Sequence, residues 1–317
     1  MIRRIITICI CLLAVAISYG QQEVMLTQFM YNKLSLNPAY AGQYDYTSVN
    51  ITYRDQYNGF PAAPNAQLAS INLPMIRKNI GLGFDIQNQS VGITKRTSFS
   101  MMYAYKFPLR KYNFSMGMKV TGKRYSFDFT DERLIAIQGL SLDPSIPNQE
   151  ISRFLMNVGF GLYFNADNYY ISLSTPGLVK SDIDFDNNNE LSQESRHVYL
   201  MGGATFPVGN RVDFTPQILV KYAEASPFDV DLNFGLTLDD KYTGALAYRF
   251  GGATGDIGES IDVLLGFQLT EQLLLGFSLD FTLSKLRSYD NGSIELVVGY
   301  SFVESGNKVK MINPRYF

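Results

Sequence analysis

Tryptophan is absent from this 317-residue chain, histidine occurs once, as His197, and cysteine twice, as Cys9 and Cys11. Both cysteines fall within the first twenty residues, so the remainder offers no disulfide, thiol nucleophile or cysteine metal ligand. A single imidazole leaves a Ser-His-Asp centre only His197 to build on, and no G-x-S-x-G nucleophile motif accompanies it. A lone histidine at a strand start reads as a solvated rim residue, and no catalytic residue is assigned. Excess positive charge is also missing: the net charge is −2, which gives no electrostatic footprint for nucleic acid. Beyond residue 20 no apolar run approaches the roughly 20 residues that a helix needs to cross a bilayer.

Two further patterns fall short of a site. Asp182, Asp184 and Asp186 have the one-three-five spacing of a calcium loop, but Asn187 stands where the turn needs glycine and Gln193 where it needs glutamate. Gly251–Gly258 is glycine-rich but leads into an alternating apolar stretch, with no helix to present a phosphate site. No metal and no cofactor is expected.

The opening residues set the compartment. Arg3 and Arg4 precede a largely apolar run, Ile5 to Ile17, and Ser18-Tyr19-Gly20 closes it with small residues at the last and third-last positions. That order is the order of a cleaved secretory signal peptide, expected over residues 1–20. Neither cysteine stands at the cleavage point, which argues against a lipoprotein.

What the chain has in quantity is 21 Tyr and 22 Phe, and its apolar residues recur with period two. Ile80, Leu82, Phe84 and Ile86 alternate with Gly81, Gly83, Asp85 and Gln87. Phe154, Met156, Val158, Phe160, Leu162 and Phe164 alternate with Asn157, Gly159, Gly161 and Tyr163. Such alternation describes strands with two unlike faces. Fourteen such segments start near residues 46, 66, 79, 97, 112, 154, 168, 197, 211, 229, 241, 260, 272 and 293. Pro216 in the ninth suggests a bulge or a shifted register.

A soluble sandwich also alternates, but its wet face is rich in charge. Here the polar face is mostly Gly, Ser, Thr and Asn, and the apolar face carries no charge in any segment. A charge facing lipid at the midplane costs about 2–4 kcal/mol, which accounts for that exclusion. Connections alternate too: short ones such as "NADN" and "PVGN", then long ones, the longest near 126–152 and 175–196. Short turns on one side and long loops on the other describe an all-β transmembrane antiparallel barrel of about 14 strands, in contact with outer-membrane lipid. The expected layout is a periplasmic or plug segment over 21–45, the barrel over 46–302 and a tail over 303–317.

Asp85, Lys106, Lys119, Asp213, Lys221, Asp231, Arg249 and Asp280 fall on the inner face. They either line an aqueous pore or pair across a closed lumen, and the balance of signs favours pairing.

"QFMYNKLSLNPAYAG", Gln28 to Gly42, resembles the opening signature of the PorP/SprF family of the type IX secretion system of Bacteroidota. The matching positions are Gln28, Phe29, Tyr31, Asn37, Pro38, Ala39, Tyr40, Ala41 and Gly42, and the ending "NPRYF" is similar to that of many members. The resemblance implies a non-enzymatic integral outer-membrane protein. It implies work beside translocon, gliding or ring components and large secreted surface proteins, as a binding scaffold that anchors or escorts them. By its residues, the motif suits a segment in the periplasmic mouth, one that seals the lumen or contacts a partner. Two C-terminal elements compete as the assembly signal: the terminal Phe317, and Tyr300 with Phe302 at the end of the last alternating segment. The alternative function is a small-molecule transporter or porin resembling the FadL family, which shares the strand number, an N-terminal hatch and an Asn-Pro-Ala element. It would need an apolar lumen, whereas these inner faces are polar and glycine-rich.

Overall fold

The computed structural model describes residues 24–76, 79–109, 111–131, 133–134, 149–180, 183, 194–223, 228–251 and 258–303. The alternating segments form β1 (Thr47–Asp55), β2 (Asn65–Ile76), β3 (Ile80–Val91), β4 (Thr94–Leu109) and β5 (Tyr112–Asp128). They continue as β6 (Glu150–Asn165), β7 (Tyr169–Thr175), β8 (His197–Ala204), β9 (Phe206–Val208) and β10 (Val212–Ala223). The last are β11 (Asp229–Leu238), β12 (Tyr242–Phe250), β13 (Ser260–Gln268), β14 (Leu273–Thr282) and β15 (Ser293–Phe302).

Neighbours in sequence pair antiparallel, and β15 pairs with β1 from Thr47 opposite Phe302 to Asp55 opposite Ile294, closing the barrel. β8 and β9 are one wall strand interrupted at Thr205, because β10 meets both on one register, Gln217 opposite Gly203 and Phe214 opposite Phe206. Fourteen strands therefore enclose the lumen.

Pro216 produces neither a bulge nor a shift: β10 runs in unbroken register with β11 from Val212 to Lys221. The proline instead falls between the part of β10 that pairs with β8 and the part that pairs with β9. Lacking an N–H, it sits where one ladder is already broken. β4, β5 and β6 also run further than their alternation indicated, so the loop expected over 126–152 gives up residues at both ends to strands. Lys95, Arg124 and Glu150 point outward on these extensions. Above the bilayer both faces are wet, so the two-faced pattern that reveals a strand is lost.

The apolar face points out and the polar face in. On β3, Gly81, Gly83 and Asp85 are buried, while Ile86 is exposed. Aromatic side chains gather where the short turns are: Tyr105, Phe107, Phe114, Phe164 and Tyr169 make ring contacts there, as do Tyr300 and Phe302. A second group, Tyr222 with Phe228 and Tyr248 with Phe250, sits at the opposite strand ends. Two such girdles mark the two edges of a bilayer, the side with the run of short turns being periplasmic. The outer β3–β4 connection, residues 92–93, is an equally tight turn where a longer loop was expected.

Candidate functional site

The N-terminal segment is inside the barrel. Phe29–Tyr31 forms a 3-10 turn, Lys33–Leu36 one helical turn and Pro38–Tyr40 a second 3-10 turn, after which the chain leads into β1. Pro38 forces Asn37 into extended geometry, observed at φ −138° and ψ 115°, and itself occupies the first position of the turn. Asn37 caps that turn, its Oδ1 accepting the Ala39 N–H at 2.8 Å. Its Nδ2 donates to the Leu162 carbonyl on β6 at 2.8 Å and to Ser172 Oγ on β7 at 2.6 Å. One side chain thus shapes the segment and ties it to the wall.

The wall receives the motif on glycine. A Cβ at Gly161 would lie 1.9 Å from Asn37 Oδ1, one at Gly117 2.3 Å from Ala39 N, and one at Gly81 2.1 Å from the Ala41 carbonyl. Approach this close leaves no room for a side chain on the wall. Gly42 turns the chain at φ +70°, where glycine is favoured, and donates its N–H to Asn72 Oδ1 at 2.7 Å. The Tyr40 hydroxyl meets that of Tyr44, and its ring stands edge-on to Tyr163 with centroids 5.3 Å apart. Burial raises the Tyr40 hydroxyl above its ordinary range.

The segment reaches beyond the periplasmic mouth, into the outer half of the lumen. There Glu295 accepts the backbone N–H groups of Thr27 at 2.9 Å and Gln28 at 2.8 Å. Arg54 binds Glu295 at 3.0 Å and Asp280 at 2.6 Å, and Thr27 Oγ1 donates to Asp280 at 2.7 Å. Gln28 packs over Gly276, where a Cβ would lie 2.3 Å from its Oε1. Phe29 and Tyr31 are buried in two separate apolar clusters. All nine motif residues are therefore buried, Gln28, Phe29 and Tyr31 with Asn37 to Gly42.

Helix-end carbonyls are satisfied by the wall: Ser35 O accepts from Lys119 Nζ at 3.2 Å and Leu36 O from Ser174 Oγ at 2.7 Å. Lys33 is 1% exposed, its Nζ 4.1 Å from the centroid of Tyr170 and without a hydrogen-bond partner among the described residues. Burial pushes its ammonium down to about 7.

The inward charges do pair, though between strands that lie next to or one removed from each other along the wall and not across the lumen. Lys119 binds Asp85 at 3.1 Å, Lys221 binds Asp231 at 2.7 Å and Arg249 binds Asp231 at 2.5 Å. Lys106 and Asp213 lie towards the periplasmic ends of β4 and β10. On the outer side the chain after β7 folds into the vestibule. Asn157 Nδ2 donates to the Val179 carbonyl at 2.8 Å, Glu194 pairs with Lys123, and Ile183 is 1% exposed.

Tyr300 and Phe302 lie on the closing strand at the periplasmic girdle, whereas Phe317 lies outside the described residues. Asp182, Asp184, Asp186, Asn187 and Gln193 lie outside them too. His197 opens β8, its Nδ1 3.1 Å from the Ser195 carbonyl. Among the described residues no group of three His, Cys, Asp or Glu is arranged to hold a metal.

Sequence reasoning missed Thr27, Lys33, Arg54, Asn72, Ser172 and Glu295. The signal for Arg54 and Glu295 was their inward register in β1 and β15; that for Asn72 and Ser172 was no stronger than any polar inner residue. The glycines were seen as a sign of crowding, without the segment that crowds them.

A closed barrel with an apolar belt, two aromatic girdles and its own N-terminal segment packed along the lumen is an internally plugged outer-membrane protein. The sequence model of the type IX secretion system membrane protein PorP/SprF matches residues 18–300, and the chain belongs to that family. None of the curated proteins matches it. Among solved structures it is similar to the Acinetobacter baumannii outer membrane protein Omp33, at 7% identity over 82% of this chain and 100% of that one, TM-score 0.47. A Pseudomonas aeruginosa FadL homologue aligns at 11% identity over 84% and 92%, TM-score 0.48. A mutant of TodX, a monoaromatic hydrocarbon channel, aligns at 9% over 85% and 94%, TM-score 0.49.

Proposed function

We propose that this barrel is a sealed scaffold that anchors or escorts secreted surface proteins and periplasmic secretion components at the outer membrane, by binding and without bond chemistry. Membership of a type IX secretion family supports a role beside that machinery. The observation that carries the reading is the lumen. Its centre is filled by Thr27–Gly42, held by Asn37 at one end and by the Arg54–Glu295–Asp280 cluster at the other. A conduit for small molecules would have to displace that segment and break the buried bonds of Thr27 and Gln28 to Asp280 and Glu295, whereas a scaffold needs neither. On this reading the segment makes the barrel rigid, and the short turns with residues 303–317 meet periplasmic partners.

The test is native co-purification of the tagged barrel from cross-linked outer membranes, with conductance of the purified barrel in planar bilayers. Recovery of a surface protein or of ring components, with no steady single-channel steps, is expected. A barrel recovered alone that conducts in regular steps would overturn the scaffold and favour transport.

A further inference from the structure

β6 has sixteen residues and β7 seven, and they pair only from Phe160 opposite Thr175 to Asn165 opposite Tyr170. Beyond Thr175 the chain turns into the lumen, with Pro176 crossing over Gly159, where a Cβ would lie 2.7 Å from the Pro176 carbonyl. A last backbone bond runs from Leu178 N to Val158 O at 2.8 Å. In an antiparallel ladder the N–H and C=O of one residue point to the same side and alternate along the strand. Since Val158 faces the β7 side, Met156, Phe154 and Ser152 face it too, and no backbone bond from another described residue reaches them.

The depth of this edge matters. Phe164 lies in the periplasmic girdle, and about 9–11 tilted residues cross the hydrocarbon, so Phe154 lies near its outer border and Met156 within it. Lipid offers no partner to unpaired backbone groups, and open sheet edges are otherwise not found there. Among the described strand residues this stretch carries the most exposed apolar side chains, Phe154 at 68% and Met156 at 64%.

We propose that the outer part of β6, Ser152 to Met156, accepts one extended segment of the escorted partner protein as an added strand, apolar on its lipid side. Main-chain pairing would supply the affinity, and Phe154 and Met156 the preference for alternating apolar residues. A second copy of the barrel does not fit: in one membrane both β6 strands run the same way, while a two-fold pair of edges needs them antiparallel. This inference rests on the escort reading above.

The test places the photo-cross-linking residue benzoylphenylalanine at Phe154 of the full chain in its native outer membrane, with Leu246 on the far wall as control. The expected result is an adduct at Phe154, absent at Leu246, with the protein that co-purifies with the unaltered barrel, mapped to an alternating apolar stretch. Met156→Pro removes an edge N–H and no bond to β5, so it should lower that adduct at least tenfold, while Met156→Ala should not. Ser152→Pro serves if Met156→Pro does not assemble. An adduct only with lipid, within the barrel chain or with a second barrel overturns the edge, as does insensitivity to proline. A partner recovered by co-purification but never captured at Phe154 sinks the edge alone. No partner in co-purification sinks the escort reading, and the edge with it.

Discussion

Removing the Asn37 side chain should undock the N-terminal segment while leaving the barrel intact. Asn37→Ala deletes the cap on Ala39 N and both donations, to Leu162 O and Ser172 Oγ. Loss of a cap costs about 1 kcal/mol. The Leu162 carbonyl and the buried Ser172 hydroxyl then lose a donor each, adding about 1–3 kcal/mol. The total of about 2–4 kcal/mol corresponds to roughly a 30- to 1000-fold fall in the docked-to-undocked ratio. Docking is a local equilibrium, so hydrogen exchange read by mass spectrometry can isolate it. Peptides covering residues 24–46 should exchange faster by about that factor, while peptides of β13 and β14 keep their protection. Unchanged protection over 24–46 would refute the account of Asn37 as the tie between segment and wall.

Gly117→Ala should undock the same segment or block assembly, because its Cβ would lie 2.3 Å from Ala39 N. Gly244→Ala, with nothing within 4 Å, should be silent, and the heat-modifiable gel shift of the folded barrel separates the two. Arg54→Met strands Glu295 and Asp280, so a loss of about 3–5 kcal/mol is expected. Adding Glu295→Gln should recover part of it, and a double-mutant cycle of denaturation midpoints checks the coupling. Lys33 is held down at about 7 by burial, so below that pH its charging opposes docking, and the penalty is relieved as pH rises towards the unfolded value of 10.5. Between pH 7 and 9 the wild-type segment should gain up to about 1.4 kcal/mol per pH unit relative to Lys33→Met, read as the ratio of their exchange rates. Phe302→Ala should slow assembly, since Phe302 sits opposite Thr47 at the closing seam, whereas truncation after Val303 should not; pulse-chase folding distinguishes them.

The barrel was legible because lipid imposes a strict rule on one face of every strand. Ile80 to Ile86 or Phe154 to Phe164 can be read as strands without a neighbour, since each exposed position must be apolar whatever it pairs with. The rule ends at the bilayer, which is why the upper parts of β4, β5 and β6 went unseen. The wall register at Pro216 was likewise beyond sequence, because a missing N–H says where a ladder breaks and not which ladder.

Residues 28–42 announced themselves by composition, and Asn37-Pro38 set its own local geometry before any contact is made. Local patterning encodes the membrane-spanning cores of the strands, their number, the face each turns to lipid and the extended geometry of Asn37. What fills the lumen is settled by contacts between distant parts of the chain. The partners of Asn37 lie 125 and 135 residues away, and Glu295 lies 267 from Gln28. Pairing at such distance depends on barrel closure and shear, and no local preference of the chain encodes which inward glycine will face which carbonyl.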